Sequence, residues 1–421
     1  MKKIISTFAV ACIAFTLTGC NNKIPMEDCP NTNIGTTNYN QIMKTENGYY
    51  YNATNFKNMS LKYHDNTTGN DIYLCAKPEC THDGDKFCTA TREDFDVQYT
   101  GMYGNNIYIS VNEVDGKQVY CKLLKASLDG TELTEICTFI QTGDSARGIG
   151  QINEDSRAMI LHRGYAFIPY RLITHETAFR GTAGLAIVNL SDGSVQYMPE
   201  YEFPETNGYM DVIPYGNYIY YTMMSGTEFH RYNFKTGEDE ILTLKENLKE
   251  TYGQTFYGKL ENYTIIDDKV WYIHGADPSI FIYDPNANTT ILVEEFEGKL
   301  LYEKEEYDEN GLLYAIHIDD YDDPKPKYDG KYLYIAEGGF YAIKGTYSPP
   351  MELKVHIFTL EGDRLGGFIF KEEETGSYQL NILDETFYIQ SNKGTIFCSV
   401  SDVISGNIEW KELYQFENRE E

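Results

Sequence analysis

Residues 215–221 read Tyr-Gly-Asn-Tyr-Ile-Tyr-Tyr, residues 229–232 read Phe-His-Arg-Tyr, and residues 235–237 read Lys-Thr-Gly. The first two segments have the short, aromatic-rich, alternating character of β-strands whose two faces meet different surroundings. The Gly-Asn and Thr-Gly pairs suit the tight turns of hairpins, because Gly and Asn tolerate a positive φ. This part of the chain is therefore predicted to be a run of short antiparallel strands joined by tight turns.

The same pattern of aromatic strand, apolar strand and tight turn returns along the chain roughly every 50–60 residues, the spacing of propeller blades. The repeat predicts an all-β fold, a β-propeller with seven blades. Six or eight blades remain alternatives because the third and seventh copies are weak, and a two-sheet sandwich or two separate β domains are the other architectures considered. The turn before each aromatic strand is marked by Gly48, Gly104, Gly164, Gly216, Asp268, Gly330 and Glu385.

The composition agrees with β structure and limits the class of partner. The chain has 37 Tyr and 21 Phe but only 2 Trp among 421 residues, and Tyr suits a half-buried strand because its ring packs while its hydroxyl reaches water. A formal net charge of −29 argues against nucleic acid as a partner, since phosphate binding needs a basic surface. The best helical periodicity covers only residues 239–250.

The first nineteen residues, 1–19, are predicted to be a lipoprotein signal peptide. Lys2 and Lys3 precede an apolar segment that is too short to span a membrane as a helix. Leu17-Thr18-Gly19-Cys20 resembles a lipobox, which implies diacylglycerol on Cys20 and a protein anchored to the cell membrane on its extracytoplasmic side. Residues 20–40 are then the lipidated cysteine and a flexible tether, and residues 41–421 the propeller domain.

Three cysteines and one histidine lie within fourteen residues, in a loop predicted to follow the last strand of the first blade: Cys75, Cys80, His82 and Cys88. Four such donors can close a tetrahedral zinc site of the structural type. The spacing Cys-x4-Cys-x-His-x5-Cys differs from common zinc knuckles, so two other interpretations stay open. Two of the cysteines can form a disulfide, with the third free or paired with Cys29, or all three can be reduced and packed. In each case the predicted role of this segment is structural, since it would hold the first blade against the next.

The lipobox, the tyrosine-rich repeats and this cluster together resemble β-propeller lipoproteins of gut Firmicutes. These proteins belong to the DUF5050 or TolB-like propeller group and have a Leu-Cys-x-x-Pro-x-Cys-x-His sequence after the first blade. The resemblance covers nearly the whole chain and implies a propeller fold and an envelope location, but no activity. It is carried by Cys75, Pro78, Glu79, Cys80, His82 and Cys88.

No catalytic or cofactor-binding residue is predicted. The chain has no Gly-x-Ser-x-Gly elbow and no P-loop, and His175-Glu176 lacks the second histidine of a zinc protease. The acidic run Asp319–Asp323 has the oxygen ligands that calcium prefers, but it lacks the Gly of an EF-type loop, which favours a solvated acidic loop. Packing roles are expected for Cys121, Cys137, Cys398, His162, His230, His274 and His356.

These observations favour a surface binding or scaffold module, monomeric and anchored to the membrane through its diacylglycerol. The loops of a propeller set its ligand, and exposed tyrosines suit a glycan, a peptide or an envelope protein. The alternative is an envelope glycoside hydrolase or lyase that uses carboxylates at the mouth of the propeller channel. A third hypothesis is that the protein is an envelope assembly factor, and it predicts an exposed apolar or strand-pairing surface.

Overall fold

The computed structural model describes most of the chain beyond the predicted tether. The predicted signal peptide, Cys20 and the tether lie outside the described residues. Among the described residues, no helix has the length and apolar character needed to cross a membrane. The described residues are 42–53, 58–84, 86–116, 118–143, 159–173, 181–203, 210–223, 229–242, 263–274, 277–293, 305–307, 313–343, 351–372, 379–383, 385–391 and 394–415.

Seven antiparallel sheets follow one another along the chain, and each takes its strands from one continuous stretch of sequence. We call them blades 1 to 7. The first three blades contain β1 (Met43–Lys44), β2 (Gly48–Asn52), β3 (Met59–Asp65), β4 (Asn70–Tyr73) and β5 (Thr91–Arg92); β6 (Phe95–Tyr103), β7 (Asn106–Asp115), β8 (Gln118–Ser127) and β9 (Leu133–Gly143); and β10 (Ile160–His162), β11 (Tyr165–Ile173), β12 (Gly181–Asn189), β13 (Val195–Tyr197) and β14 (Tyr201–Phe203).

Blades 4 to 7 continue the same order of neighbouring strands. They contain β15 (Met210–Tyr215), β16 (Tyr218–Met223), β17 (Phe229–Asn233) and β18 (Glu238–Leu242); β19 (Tyr263–Ile266), β20 (Lys269–His274), β21 (Asp277–Asp284) and β22 (Thr289–Val293); β23 (Glu305–Tyr307), β24 (Leu313–Tyr328), β25 (Leu333–Ile343), β26 (Met351–Phe358) and β27 (Arg364–Glu372); and β28 (Gln379–Leu383), β29 (Thr386–Ser391), β30 (Gly394–Ser399) and β31 (Lys411–Gln415), with the helix α1 (Val400–Ser405) between the last two strands.

The core of the molecule lies between the blades. The described residues form seven apolar clusters, one at each interface between consecutive blades, and the seventh joins blade 7 to blade 1. The seven-bladed propeller is therefore confirmed, and a sandwich, two separate domains, and six or eight blades are wrong. From the first interface to the last, the clusters include Leu61 and Ile109, Cys121 and Ile168, Phe167 and Ile219, Tyr220 and Tyr272, Trp271 and Leu333, Tyr334 and Phe387, and Tyr51 and Leu413.

The ring closes through side chains, since the described strands of blades 1 and 7 are not exchanged between the two ends of the chain. The hydroxyl of Tyr49 donates a hydrogen bond of 2.9 Å to the backbone oxygen of Leu413, and both residues belong to the cluster at this interface. A tyrosine is suited to such a junction because its ring fills the interface while its hydroxyl satisfies a backbone oxygen.

Three sequence expectations need correction. The first residues of the segment 239–250 form part of β18 rather than a helix, and residues 243–250 lie outside the described residues. The acidic run Asp319–Asp323 lies within β24, at a point where its pairing with β25 is irregular, and is not a loop. The short helix α1 was not expected; its first turn is capped by the Ser399 hydroxyl, which accepts from the backbone N–H of Asp402.

Candidate metal centre

The cysteine/histidine cluster lies in an insertion into the outer strand of blade 1. β4 and β5 both pair with β3, so they are two parts of one strand. Where β4 ends, the N–H of Leu74 donates to the backbone oxygen of Leu61 (3.0 Å), and the N–H of Leu61 donates to the oxygen of Ala90 (2.9 Å). Residues 74–90, which we call the cysteine loop, therefore leave the strand and return to the same point; residue 85 is outside the described residues. The loop interrupts the last strand of blade 1, whereas the sequence interpretation placed it after that strand.

The structure brings together all four predicted donors. The ligand atoms of Cys75, Cys80, His82 and Cys88 all lie within 4.8 Å of one another. The Sγ of Cys88 is 3.6 Å from the Nδ1 of His82. A tetrahedral zinc with ordinary Zn–S and Zn–N bonds would hold a sulfur and an imidazole nitrogen about 3.6 Å apart. The observed pair is therefore already at the separation that such an ion requires, and the donors that are up to 4.8 Å apart would have to approach each other by about 1 Å.

Local backbone geometry turns the donors toward one point. The N–H of Cys80 donates to the oxygen of Lys77 (3.2 Å), which closes a turn between the first two cysteines. His82 has a φ of 57° and Gly84 a φ of 95°, both in the left-handed region, so the chain reverses direction again before the last cysteine. The ring of Tyr73 stacks on the His82 ring with centroids 4.7 Å apart, which fixes the plane of the imidazole.

The sulfur of Cys88 is buried and accepts hydrogen bonds from the residues that follow it. This residue is 1% exposed, and its Sγ accepts hydrogen bonds from the N–H of Ala90 (3.4 Å) and from the N–H (3.3 Å) and hydroxyl (3.2 Å) of Thr91. Three donors directed at one buried sulfur stabilise negative charge on it, and such outer-shell bonds orient metal-bound cysteines. The sequence analysis did not identify these donors, although they follow directly after Cys88.

The other two thiols have different proton affinities. Partial burial raises the pKa of Cys75, but hydrogen bonds from Thr89 and from the N–H of Lys77 outweigh it and lower this pKa to about 7. The N–H of His82 favours the thiolate of Cys80, but burial and the neighbouring thiols outweigh it and raise the pKa of Cys80 to about 11. A second negative charge is thus unfavourable beside the first. A divalent cation bound to these sulfurs would remove this penalty, so the thiol of Cys80 would lose its proton.

The cysteine loop is attached to blade 2. The N–H of Ala76 donates to the oxygen of Gly130 (3.0 Å), which lies in the turn between β8 and β9. The Thr89 hydroxyl lies within hydrogen-bond distance of the oxygens of both Gly130 (2.9 Å) and Leu74 (3.1 Å). A Cβ at Gly130 would be 2.7 Å from the backbone nitrogen of Cys75, so the two backbones are in direct contact. These contacts agree with the predicted structural role of this segment between blades 1 and 2.

The donor set fits a structural ion. The six cysteines that the structure describes are free thiols, and Cys29, the partner considered for a disulfide, lies outside the described residues. Three sulfurs and one imidazole nitrogen fill all four positions of a tetrahedral ion and leave none for a water or a substrate, as in structural zinc sites. The cluster can therefore hold a metal ion, and its sulfur-rich set suits zinc.

The cysteines and histidines for which packing roles were expected make packing contacts wherever their side chains are described. Cys121 and Cys398 are buried in interblade clusters, and Cys137 packs against one. His162 is fully buried, with its Nε2 2.9 Å from the oxygen of Gly216 in the next blade. His230 is buried beside Tyr221, with its Nδ1 3.1 Å from Asp239, and His356 lies 6.4 Å from Phe358 by ring centroids. The side chain of His274 lies outside the described residues.

The tyrosines that the structure describes do not form the exposed aromatic surface that the sequence suggested. Seven of the largest fully buried side chains in the described part of the chain are tyrosines, whereas Tyr197 is 48% exposed. The described tyrosines mainly fill the interfaces between blades, so their abundance reflects packing rather than ligand contact. The seven are Tyr99, Tyr108, Tyr220, Tyr221, Tyr272, Tyr283 and Tyr334.

No family model and no curated protein matches the chain. The solved structures that are similar to this chain include a putative 6-phosphogluconolactonase from Bacteroides uniformis, with 11% identity, 88% of this chain and 92% of that chain covered, and a TM-score of 0.44. They also include TolB from Acinetobacter baumannii, with 12% identity, 80% of this chain and 79% of that chain covered, and a TM-score of 0.27. The WD40 domain of SCAP from fission yeast has 9% identity, 90% and 87% covered, and a TM-score of 0.34. At these values the likeness concerns the fold alone, and the fold assignment rests on the seven sheets. The resemblance to the DUF5050 group stays a prediction.

Proposed function

We propose that this chain is a membrane-anchored binding or scaffold module whose first two blades are held together by a structural zinc ion. The observation that supports it most is the closed donor set of the cysteine loop, in which four protein ligands converge within 4.8 Å. A closed set leaves no position at which a metal-bound water could act, so the ion would stabilise the fold rather than perform chemistry. The ring of blades then serves as a rigid support for loops that bind a glycan, a peptide or an envelope protein.

Membrane attachment forms part of the proposal and is supported by the sequence of the first twenty residues. Cys20 follows a lipobox-like sequence, and two acyl chains on it would suffice for stable anchoring. The acidic chain, with a net charge of −29, would be repelled by anionic lipid, so the tether rather than the propeller surface would hold it at the membrane.

The anchor can be tested by metabolic labelling with an alkyne analogue of palmitate. The wild-type chain is expected to take up the label and to sediment with membranes, whereas Cys20→Ser should lose the label completely and appear in the soluble fraction. Cys29→Ser is the matched control, because it removes a nearby cysteine outside the lipobox and should leave labelling unchanged. Equal labelling of the wild type and Cys20→Ser would show that the acyl chains are attached elsewhere.

Binding and hydrolysis can be separated with one substrate. Full-length protein in detergent is mixed with insoluble cell-envelope polysaccharide from the host and then sedimented, and new reducing ends are measured in the supernatant. The proposal expects retention of the protein with no increase in reducing ends. An increase in reducing ends would support the glycoside hydrolase instead. No retention and no reducing ends would exclude this polysaccharide as the ligand, and would leave the protein-binding form of the proposal to the peptide measurement below.

A further inference from the structure

The exposed apolar side chains of the described residues concentrate on the circumference of the propeller. Six of the nine large hydrophobic residues that are exposed lie on the outermost strands of their blades, whereas single exposed apolar residues are usually scattered over a protein surface. The six are Ile72 in β4, Tyr197 in β13, Ile241 in β18, Ile291 and Leu292 in β22, and Ile369 in β27.

Among the described outer strands, the outer strand of blade 5, β22, differs from the others because two consecutive large apolar residues are exposed. Ile291 is 57% exposed and Leu292 is 40% exposed. Successive side chains of a strand point to opposite faces, so both faces of this strand are open to solvent. Its sequence, Thr-Thr-Ile-Leu-Val, contains no charge, Pro or Gly. One edge of β22 pairs with β21, from Asp284↔Thr289 to Ile280↔Val293, and no described strand pairs with the other edge.

Three other outer strands of the ring have features that discourage pairing with another chain. β18 of blade 4 contains Glu238, Asp239 and Glu240, and charges on an edge strand oppose further pairing. β27 of blade 6 is approached by α1, since a Cβ at Gly366 would be 3.2 Å from the Cα of Ile404. The outer strand of blade 1 is interrupted by the cysteine loop. β22 has none of these features among the residues described.

The charges around β22 indicate the chemistry of its partner. Asp284 begins the turn that leads into β22, and the net charge of the chain is −29. Glu240 of the neighbouring blade is exposed but is paired with Arg231 at 2.7 Å, so the overall charge of the chain, rather than this residue, makes the surroundings negative. A second copy of the chain would bring the same negative charge to the edge and be repelled, whereas a segment with Lys or Arg would be attracted. An uncharged apolar edge on a strongly acidic chain therefore fits a basic and apolar strand.

We infer that β22 is a docking edge that accepts an extended segment of another protein as an additional strand of blade 5. The segment alternates apolar and polar residues and has Lys or Arg at its ends. Backbone hydrogen bonds along the open edge would supply affinity, and Ile291 and Leu292 would contact alternate side chains of the segment on the two faces. The inference rests on the proposed binding function and specifies its partner class.

The probe is a fluorescent synthetic peptide that alternates Val and Thr and has Lys at both ends, and its binding to the full-length protein in detergent is followed by anisotropy. Ile291→Lys is expected to weaken binding about tenfold, because it removes an apolar contact and places a charge opposite the charged peptide. Ile369→Lys is the matched control, since it puts the same charge on an equally exposed position of another outer strand and should leave binding unchanged. Binding to the wild type should also weaken at high salt.

Three results would contradict the inference: no binding to the wild type, equal binding to the wild type and Ile291→Lys, or an equal loss in both variants. A dimer of the wild type alone that Ile291→Lys dissociates would also overturn it, since a second copy would then occupy the edge. The envelope-polysaccharide measurement distinguishes a failure of the docking edge from a failure of the proposed binding function. If retention persists while the peptide does not bind, the docking edge is wrong and the binding function stands.

Discussion

Replacing Cys88 by Ser is expected to remove bound zinc completely, from about one ion per chain to none. Cys88 is the most buried of the four donors, and three hydrogen bonds fix its sulfur, so no neighbouring residue can take its place. Ion binding stabilises the folded chain by about 4 kcal/mol when free zinc is about 1,000 times its Kd. The wild type should therefore lose about this free energy of unfolding in a chelator, and the variant should be insensitive to the chelator.

The measurement combines elemental analysis, free-thiol counting and urea unfolding of the full-length protein purified without oxygen. Cys121→Ser is the matched control, because Cys121 is also completely buried but lies in the interface between blades 2 and 3. It should lose stability through packing and keep its zinc. Replacement of zinc by cobalt should give the visible absorption of a tetrahedral thiolate site in the wild type and in Cys121→Ser only.

Two results would refute the structural zinc ion in distinguishable ways. If the wild type contains no metal and two free thiols fewer than the cysteines that remain after signal-peptide removal and lipidation of Cys20, the loop is held by a disulfide. If it contains no metal and all thiols are free, the cluster is a packing feature. Zinc that persists in Cys88→Ser would mean that the ion is bound elsewhere in the chain.

The blade count could be predicted from the sequence because each blade repeats a local turn. Six of the seven residues that mark the predicted turns adopt a positive φ in the structure, including the non-glycine residues Asp268 and Glu385. The exception, Gly48, is needed for a different reason, since a Cβ there would clash with the backbone oxygen of His64. A tight turn depends on a few adjacent residues, so it can be recognised in the sequence even in blades whose strands show a weak alternation of apolar and polar residues.

The strand β18 was missed because it lies at an outer edge. Four of its five residues, from Glu238 to Ile241, are exposed, so no alternation of apolar and polar residues marks it as a strand. The helix α1 was also missed, although Ser399 and Asp402 at its start and Gly406 at its end are the capping residues that a sequence search can find.

The four donors of the metal site were visible in the sequence, but their supports were not. Gly130 lies far from the cysteine loop along the chain, and only the packing of blade 2 on blade 1 brings its oxygen to Ala76. The split of the outer strand into β4 and β5 depends on the two hydrogen bonds of Leu61, which join segments on either side of the loop. Contacts of this kind depend on the arrangement of the blades and leave no local pattern in the sequence.

Replacing Gly130 by Ala is expected to have the second-largest effect, since it changes both the backbone strain and the contact between the blades. Gly130 has a φ of 70°, which costs a residue with a side chain about 1–2 kcal/mol. The new Cβ would also be 2.7 Å from the nitrogen of Cys75 and from the carbonyl carbon of Leu74. Both contacts are with backbone, so the cysteine loop has to move, at a further cost of about 1–3 kcal/mol.

Gly69→Ala separates these two contributions. Gly69 has the same φ of 70° in the corresponding turn of blade 1, but nothing lies within 4 Å of its added Cβ. It should lose only the free energy due to backbone strain and keep the zinc affinity of the wild type. Gly130→Ala should lose more free energy of unfolding and bind zinc about tenfold more weakly, because Cys75 is displaced from the other donors. Equal losses in the two variants, with unchanged zinc affinity, would mean that blade 2 does not hold the cysteine loop in its metal-binding geometry.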